Sequence, residues 1–240
     1  MKTISVCIPT YNGSLYIREQ LDSILNQLGI NDEVIVSDDS SLDNTIEIIE
    51  SFNDSRIKIL KNNNFKSPIY NLENAIKNAT GNYIFTSDQD DIWIEKKVEI
   101  MTRYLTKYDL VVSDCIVIDD EKNIISDSFF KLNISKKGFL NNLIKNSFLG
   151  CCMAFNRKIL NYVIPFPKKI AMHDIWIGLN AELCGNTKFI TDKLIYYRRH
   201  DSNFSFTANK SNFRLSYKLS YRFRFFILVI QRWIEHKLNY

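Results

Sequence analysis

Glycine and proline are scarce in this chain, with seven and four copies among 240 residues. No GxGxxG and no GxxxxGK(S/T) sequence is present. The glycine-rich phosphate loops of dinucleotide-binding dehydrogenases and P-loop NTPases are therefore missing. The GxSxG turn that presents the nucleophile of α/β-hydrolases is missing as well. If the chain binds a phosphate-containing ligand, other residues must hold it.

Cysteines and long apolar runs are also few. The five cysteines are an odd number and include no CxxC pair. This pattern fits neither a disulfide framework nor a zinc site, and it predicts reduced thiols in a cytoplasmic protein. The longest apolar run, 225–230, is far below the roughly 18–20 residues that a membrane-spanning helix needs. The first residues lead straight into a strand pattern, so no secretory leader is expected.

Positive charge is only slightly in excess, at +4 with a pI of about 8.7. Dedicated nucleic-acid binders are far more basic, so no nucleic-acid partner is expected. The charge concentrates in residues 210–240, which hold seven lysines and arginines and one acid among many aromatic residues. We expect a C-terminal helical extension at 209–240. It either packs on the rest of the chain or lies on an anionic lipid surface.

Strand and helix patterns alternate through the first half of the chain. Short apolar runs predict strands at 4–8, 33–37, 57–60 and 83–86, and helical spacing predicts helices at 15–28, 44–52 and 67–77. The second half is more mixed, with predicted strands at 110–118, 124–126, 150–155 and 194–197 and helices at 139–144 and 173–184. The alternation predicts an α/β fold with a mostly parallel central sheet and helices on both faces.

Polar loops follow three of the predicted strands. The residues at these strand ends are Pro9, Thr10, Tyr11 and Asn12, then Asp38 and Asp39, and finally Asp88, Gln89, Asp90 and Asp91. Ligands of open α/β sheets bind at the carboxyl ends of the strands. The three loops are therefore expected to meet at one edge of the sheet and to form a site there.

The last of these loops holds three carboxylates within four residues. Such carboxylates repel one another, and a hard cation such as Mg²⁺ or Mn²⁺ relieves the repulsion. Asp88, Asp90 and Asp91 are therefore predicted to meet a divalent cation together with substrate phosphates. The alternative is a solvated acidic turn that caps a helix starting near Ile92. The preceding strand and the following Trp93 favour the functional interpretation.

Other polar residues have two interpretations each. Asp38 and Asp39 either form a turn that caps the next helix or accept a hydrogen bond from a nucleobase. Asp174 is either a helix N-cap or a general base that deprotonates an acceptor hydroxyl. Arg198 and His200 form either a basic surface turn or a cationic site beside a diphosphate, where His200 could also bind the metal.

Five short motifs in this order resemble glycosyltransferase family 2. They are PTYN at 9–12, VSDDSS at 36–41, TSDQDDIW at 86–93, HDIW at 173–176 and YYRRH at 196–200. Together they cover about residues 3–205, and the form of the last three is most similar to a bacterial rhamnosyltransferase-like branch. The resemblance implies the GT-A fold and sugar transfer with inversion. It also implies a catalytic domain at 1–208, with a nucleotide-binding half at about 1–108 and an acceptor-binding half at 109–208.

The same resemblance implies a role for each candidate residue. Asp174 would be the catalytic base, and Asp90, Asp88 and His200 would bind Mn²⁺ or Mg²⁺. The donor-binding residues would be Pro9, Thr10, Tyr11, Asn12, Asp38, Asp39, Asp88, Gln89, Asp91 and Arg198. Processive synthases carry Gln-x-x-Arg-Trp where this chain has Tyr-Arg-Arg-His, so single sugar transfers are expected.

The expected donor is a nucleotide sugar, either dTDP-rhamnose or a UDP-hexose. The acceptor would be a saccharide or a lipid-linked saccharide of a bacterial surface polysaccharide, met at the inner face of the plasma membrane. Two rival functions remain. A nucleotidyltransferase that makes nucleotide sugars would share the acidic metal site, but it normally has a glycine-rich basic loop after the first strand. A non-catalytic relative would not need Asp88, Asp90, Asp174 and His200 intact.

Overall fold

The structure, a computed structural model, describes residues 2–168, 170, 172–200 and 215–238. The first half alternates strands and helices as expected. Its elements are β1 (Ile4–Thr10), α1 (Ile17–Leu25), β2 (Glu33–Asp38), α2 (Thr45–Glu50), β3 (Ile57–Leu60), α3 (Pro68–Asn78) and β4 (Tyr83–Thr86). The apolar runs become buried strands, and the helices place one apolar stripe on the sheet.

The second half adds five strands and six helices among the described residues. They are β5 (Ile92–Trp93), α4 (Lys97–Leu105), β6 (Leu110–Ile118), β7 (Ile124–Ser126), α5 (Phe129–Asn133), α6 (Phe139–Ile144), β8 (Met153–Asn156), α7 (Leu160–Val163), α8 (His173–Cys184), β9 (Thr187–Arg198) and α9 (Leu215–Leu238). The predicted strands at 110–118 and 124–126 and the predicted helices at 139–144 and 173–184 have these same bounds.

One nine-stranded sheet joins both halves in the order β3-β2-β1-β4-β8-β6-β9-β5, with β7 paired to β6. The α/β prediction is confirmed. β1 to β4 pair in parallel, whereas β8 runs antiparallel to both β4 and β6. The strand order reverses beside β1, because β2 lies on one side of it and β4 on the other. Ligands of α/β sheets bind at such a reversal.

Three local predictions were wrong. The helix after the acidic loop begins at Lys97 and not near Ile92, because Ile92 and Trp93 pair antiparallel with β9. The strand predicted at 150–155 begins at Met153, after a short 3₁₀ turn. The last strand is three times longer than predicted, because its charged first part also pairs with β6.

Helix α9 packs on α6, α7 and α8 through one face, and Phe225 and Val229 are buried there. Arg232 donates to the Ile164 carbonyl at 3.0 Å, and its guanidinium lies over the ring of Trp176 at 5.5 Å. The predicted domain boundary at 208/209 lies outside the described residues. Within those residues, no helix combines the length and the apolar character needed to cross a membrane.

Candidate active site

The loops after β1 and β4 meet, as their strand ends predicted. Gln89 accepts the Tyr11 N–H through Oε1 at 2.9 Å and donates to the Tyr11 carbonyl through Nε2 at 3.1 Å. Gly13 lies against the same amide, and a Cβ there would come within 2.4 Å of Gln89 Oε1. Both polar groups of the Gln89 side chain therefore fix the loop after β1, and its contact with the nucleotide-sugar donor stays a prediction.

Side chains from outside the acidic loop hold its start in place. Gln20 of α1 donates to Ser87 Oγ at 2.5 Å and to the Asp88 carbonyl at 2.9 Å. The Trp93 indole N–H also reaches Ser87 Oγ, at 3.2 Å. These contacts fix the backbone from which Asp88, half-buried, extends.

The three carboxylates of this loop lie close enough to perturb one another. Burial raises the pKa of Asp88 to about 8, and the charges of Asp90 and Asp174 add to the increase. Burial and the neighbouring charge of Asp90 also raise the pKa of Asp91 well above its usual range. Carboxylates that share a buried site resist ionising together. The loop therefore carries more negative charge than its surroundings stabilise.

These residues fit a hard divalent cation. Asp91 Oδ2 is buried without a hydrogen-bond partner among the described residues. Ligand atoms of Asp88, Asp91 and Cys151 lie within 4.8 Å of one another. Burial raises the pKa of the Cys151 thiol, which stays protonated and is too soft a donor for Mg²⁺ or Mn²⁺. The donor set for such an ion is therefore the group of carboxylates.

His200 lies next to the loop, as predicted. Its Nε2 is 2.9 Å from Asp90 Oδ2, and this hydrogen bond raises the pKa of His200. The ring of Tyr16 stacks on the imidazole with centroids 5.1 Å apart. The Tyr16 hydroxyl donates to Asp120 Oδ1 at 2.8 Å. Tyr16 therefore fixes the plane of the His200 ring, a role that its sequence position gave no signal for.

The side chain of Arg198 is buried among protein partners. Its guanidinium donates to the carbonyls of Asp90 and Asp120 and to the Glu19 carboxylate at 2.9–3.0 Å. Its backbone N–H donates to Asp91 Oδ1 at 3.0 Å. With these partners Arg198 holds the acidic loop in place, and its contact with a diphosphate stays a prediction.

Arg199 lines a cleft of about 340 Å³ together with His200 and the acidic turn formed by Asp119, Asp120 and Glu121. The two arginines therefore have different surroundings. Arg198 is buried, whereas Arg199 lies at a cleft that also holds three carboxylates.

Asp174 lies in the first turn of α8 and is buried. It is not the N-cap, which is Met172. Its Oδ2 accepts a hydrogen bond from Asn146 Nδ2 at 3.0 Å, and burial raises its pKa to about 6. The start of α8 lies beside the acidic loop, because a Cβ on Gly150 would come within 2.7 Å of His173 Nε2, and Cys151, the next residue, lies within 4.8 Å of Asp88 and Asp91. The charge of Asp174 adds to the raised pKa of Asp88. Asn146 was not predicted, since nothing in its local sequence points to Asp174.

The two aspartates after β2 have different partners. Asp38 is buried and accepts from Thr10 Oγ1 and from the Ser41 N–H, both at 2.9 Å. These bonds fit the turn-forming alternative, and the contact of Asp38 with the nucleotide-sugar donor stays a prediction. Asp39 is half-buried and accepts the N–H groups of Phe65 and Ser67 at 2.6 and 3.2 Å.

The loop after β1 leaves one large group exposed. The Tyr11 side chain is 53% exposed, whereas Thr10 is buried and Pro9 is half-buried. Asn12 has a left-handed backbone with φ of 48°, and its Oδ1 accepts the Leu42 N–H at 2.8 Å. The exposed Tyr11 ring is therefore open to a ligand, while Thr10 and the Asn12 Oδ1 contact shape the loop.

A buried lysine lies behind the acidic loop. Lys97 donates to the Cys151 carbonyl at 3.0 Å, and its ammonium lies 4.8 Å from the centroid of the Trp93 ring. Burial lowers the pKa of Lys97, whereas the charge of Asp91 opposes that shift. Lys97 is therefore a structural counter-charge of the site, and the sequence gave no reason to expect its burial.

Comparison with known proteins identifies the family. Residues 5–163 match the family model described as Glycosyl transferase family 2. The chain is 31% identical over 210 residues to the UDP-Glc:alpha-D-GlcNAc-diphosphoundecaprenol beta-1,3-glucosyltransferase WfgD of Escherichia coli, covering 86% of this chain and 80% of WfgD. It is 32% identical over 149 residues to the GalNAc(5)-diNAcBac-PP-undecaprenol beta-1,3-glucosyltransferase of Campylobacter jejuni, covering 58% of this chain and 48% of that enzyme.

The fold has solved counterparts. S. aureus TarS 1-349 in complex with UDP-GlcNAc superposes with a TM-score of 0.69 at 21% identity, covering 85% of this chain and 60% of TarS. The mannosyltransferase PcManGT of Pyrobaculum calidifontis, solved with GDP-Man and Mn²⁺, gives 0.61 at 20% identity, covering 84% of this chain and 58% of PcManGT. This chain is a glycosyltransferase with the GT-A fold, and it belongs to glycosyltransferase family 2.

Proposed function

We propose that this enzyme transfers a single sugar, with inversion, from a nucleotide-sugar donor to a saccharide carried on a lipid. One observation carries the proposal. The start of α8, which carries Asp174, packs on Gly150 through His173, and Cys151 beside Gly150 lies within 4.8 Å of Asp88 and Asp91 in the acidic loop. A donor site and a general base beside each other are what a direct sugar transfer requires.

The roles follow from chemistry and position. Asp174, with its pKa of about 6, is largely ionised at neutral pH and would take the proton of the acceptor hydroxyl. Asp90 and Asp88, with His200 beside them, would hold Mg²⁺ or Mn²⁺. When bound, such a cation neutralises charge that develops on a diphosphate leaving group. Arg199, which lines the cleft beside His200, would add positive charge there.

The nucleotide would lie against the loops after β1 and β2. The exposed ring of Tyr11 offers a stacking surface for a nucleobase. Asp39 accepts two backbone N–H groups and retains lone pairs for a base imide. The proposed donor contacts of Pro9, Thr10 and Asn12 act through the loop backbone, since these side chains are buried or fixed.

The donor we propose is a UDP-hexose in preference to dTDP-rhamnose. WfgD is named for UDP-glucose and for a GlcNAc-diphosphoundecaprenol acceptor. TarS was solved with UDP-GlcNAc. These names support a uridine nucleotide and an acceptor on a polyprenyl diphosphate, within bacterial surface polysaccharide synthesis. Such an acceptor would be met at the inner face of the plasma membrane.

A transfer assay tests the proposal. The purified chain is incubated with UDP-glucose, UDP-GlcNAc or dTDP-rhamnose, a short-chain lipid diphosphate-GlcNAc, and Mn²⁺, Mg²⁺ or EDTA. We expect a product one hexose heavier by mass spectrometry, formed from a UDP donor and lost with EDTA. Asp174→Asn should abolish it, while the surface variant Lys107→Gln should not.

Two results would contradict the proposal. One is undiminished transfer by Asp174→Asn. The other is metal-dependent release of pyrophosphate from a sugar 1-phosphate and a nucleoside triphosphate without sugar transfer, which would make the chain a nucleotidyltransferase. Nucleotide binding without either reaction would support a non-catalytic relative.

A further inference from the structure

The chain between β7 and α8 carries charge of one sign. Residues 128–172 contain eight lysines and arginines and neither aspartate nor glutamate. Two of these eight serve the fold, because Arg157 donates to backbone carbonyls and Lys158 pairs with Asp109. Lys136, Lys137 and Lys145 are exposed around α6 and make no salt bridge among the described residues.

Acidic groups reach this surface at few points. Glu182 of α8 interacts with Lys137, but its carboxylate also accepts the Gly138 N–H at 3.0 Å and is half-buried. Asp127 lies 3.9 Å from Lys131 and 3.2 Å from Lys193, at the α5 end. The lysines around α6 therefore keep a net positive surface.

Exposed aliphatic side chains lie among these lysines. Leu140 and Ile144 of α6 are 68% and 63% exposed, and a spacing of four residues puts them on one helix face. Ile134 follows α5 and is 68% exposed in a left-handed backbone with φ of 50°. A β-branched residue is strained there, and exposed it gains no burial in return.

Helix α9 continues this surface. The rings of Phe139 and Phe226 meet at 6.2 Å and join α6 to α9. Phe223 and Ile227, four residues apart, point away from the buried face of α9, and Phe223 is 65% exposed. Arg224, between them in the sequence, donates to the Lys168 carbonyl at 3.2 Å and therefore points away from α6. We define the α6–α9 face as Ile134, Lys136, Lys137, Leu140, Ile144, Lys145, Phe223 and Ile227.

We infer that the α6–α9 face docks on an anionic lipid bilayer. Lysine stems lie along apolar surface while their charges reach phosphate headgroups, and aliphatic and aromatic groups enter the acyl boundary. A second copy of the chain fits worse. A two-fold interface through this face would set its lysines against the same lysines.

Docking through the α6–α9 face would help transfer to a lipid-linked acceptor. This step of the inference rests on the proposed function. Lys145 directly precedes Asn146, whose side chain holds Asp174. A bilayer against α6 would therefore lie on the side of the site that receives the acceptor. A sugar linked to a membrane lipid could then reach Asp174 without leaving its membrane.

Vesicle flotation tests the inference. Wild-type chain is mixed with vesicles of phosphatidylcholine alone or with added phosphatidylglycerol. Lys136→Glu with Lys137→Glu should weaken binding to the anionic vesicles by at least about 25-fold, since each lysine near such a surface contributes about fivefold. Leu140→Gln with Ile144→Gln should weaken it further. The control pair Ile30→Gln and Lys107→Glu, exposed outside the face, should bind like wild type.

Several results would overturn the inference. They are equal flotation of wild type and the charge variant, equal binding to neutral and anionic vesicles, or a dimer in sedimentation that the variants disrupt without any vesicle binding. Unchanged thermal melting shows that the variants fold. Transfer to a water-soluble acceptor separates the two proposals. If neither the wild type nor any variant transfers sugar to this acceptor, the proposed function is rejected. Binding of the wild type to anionic vesicles would still support docking.

Discussion

Removing the Asn146 amide should shift the pH at which the enzyme works. Asn146 Nδ2 donates to Asp174 Oδ2 at 3.0 Å and so stabilises the ionised carboxylate. Burial already raises the pKa of Asp174 to about 6. A hydrogen bond to a charged group contributes about 1.5–3 kcal/mol, or roughly 1–2 pKa units. Asn146→Ala should therefore raise the pKa of Asp174 to between about 7 and 8.

The sign follows from the role of the group. A general base works when ionised, so a higher pKa removes activity at low and neutral pH and restores it in alkali. With a pKa of 6, about nine-tenths of the base is ionised at pH 7, and with 7.5 about a quarter remains. The assay is kcat/KM against pH for sugar transfer. We expect a roughly fourfold loss at pH 7 and near-complete recovery by about pH 9.

A matched control separates this effect from damage to the loop. Asn133→Ala removes the hydrogen bond from Asn133 Nδ2 to the Asn146 carbonyl at 2.9 Å but leaves Asp174 untouched. It should lower stability without moving the pH profile. If Asn146→Ala lowers the rate equally at every pH, Asn146 supports only the loop and the assignment of Asp174 as the base loses its main physical argument.

Three further changes test the site and the core. Asp90→Asn should remove Mn²⁺-dependent nucleotide binding in calorimetry, and unchanged binding would refute its place in the metal site. Tyr16→Leu should weaken Mn²⁺ binding more than Tyr16→Phe, because only Phe retains the stack on His200. Gly178→Ala should cost about 1–3 kcal/mol and lower Tm by several degrees in thermal melting, because its Cβ would lie 2.3 Å from the Phe148 ring.

The sequence was informative where local pattern decides structure. β3 and β4 have their predicted bounds because each is a short apolar run between polar loops. β4 is buried inside the sheet, whereas β3 lies at its edge and is partly exposed. β9 was harder, since Lys188, Asp192 and Lys193 interrupt its apolar pattern. Its length depends on pairing with β6, which meets β9 from Thr187 to Arg198 with register shifts between the two ends. Such pairing is a tertiary property that no window of sequence contains.

In the candidate site, too, the sequence indicated some residues and only the fold revealed their partners. Asp88, Asp90 and Asp174 could be singled out because unusual charge at a strand end or a helix start is visible in the sequence. The residues that hydrogen-bond to these aspartates could not be predicted from the sequence. Asn146 meets Asp174 across 28 positions, and Gln20 meets Asp88 across 68. Each is an ordinary polar residue until the fold brings the pair together.

The backbone conformation of the acidic loop is consequently determined more by contacts with neighbouring elements than by the sequence of the loop itself. Gln20 from α1 holds the Asp88 carbonyl, Gln89 ties the loop to Tyr11, and Arg198 from β9 holds the Asp90 carbonyl. These contacts tie the loop backbone to α1, to the loop after β1 and to β9. Rigid placement of charged groups before the substrate arrives is the condition under which they stabilise a transition state most effectively.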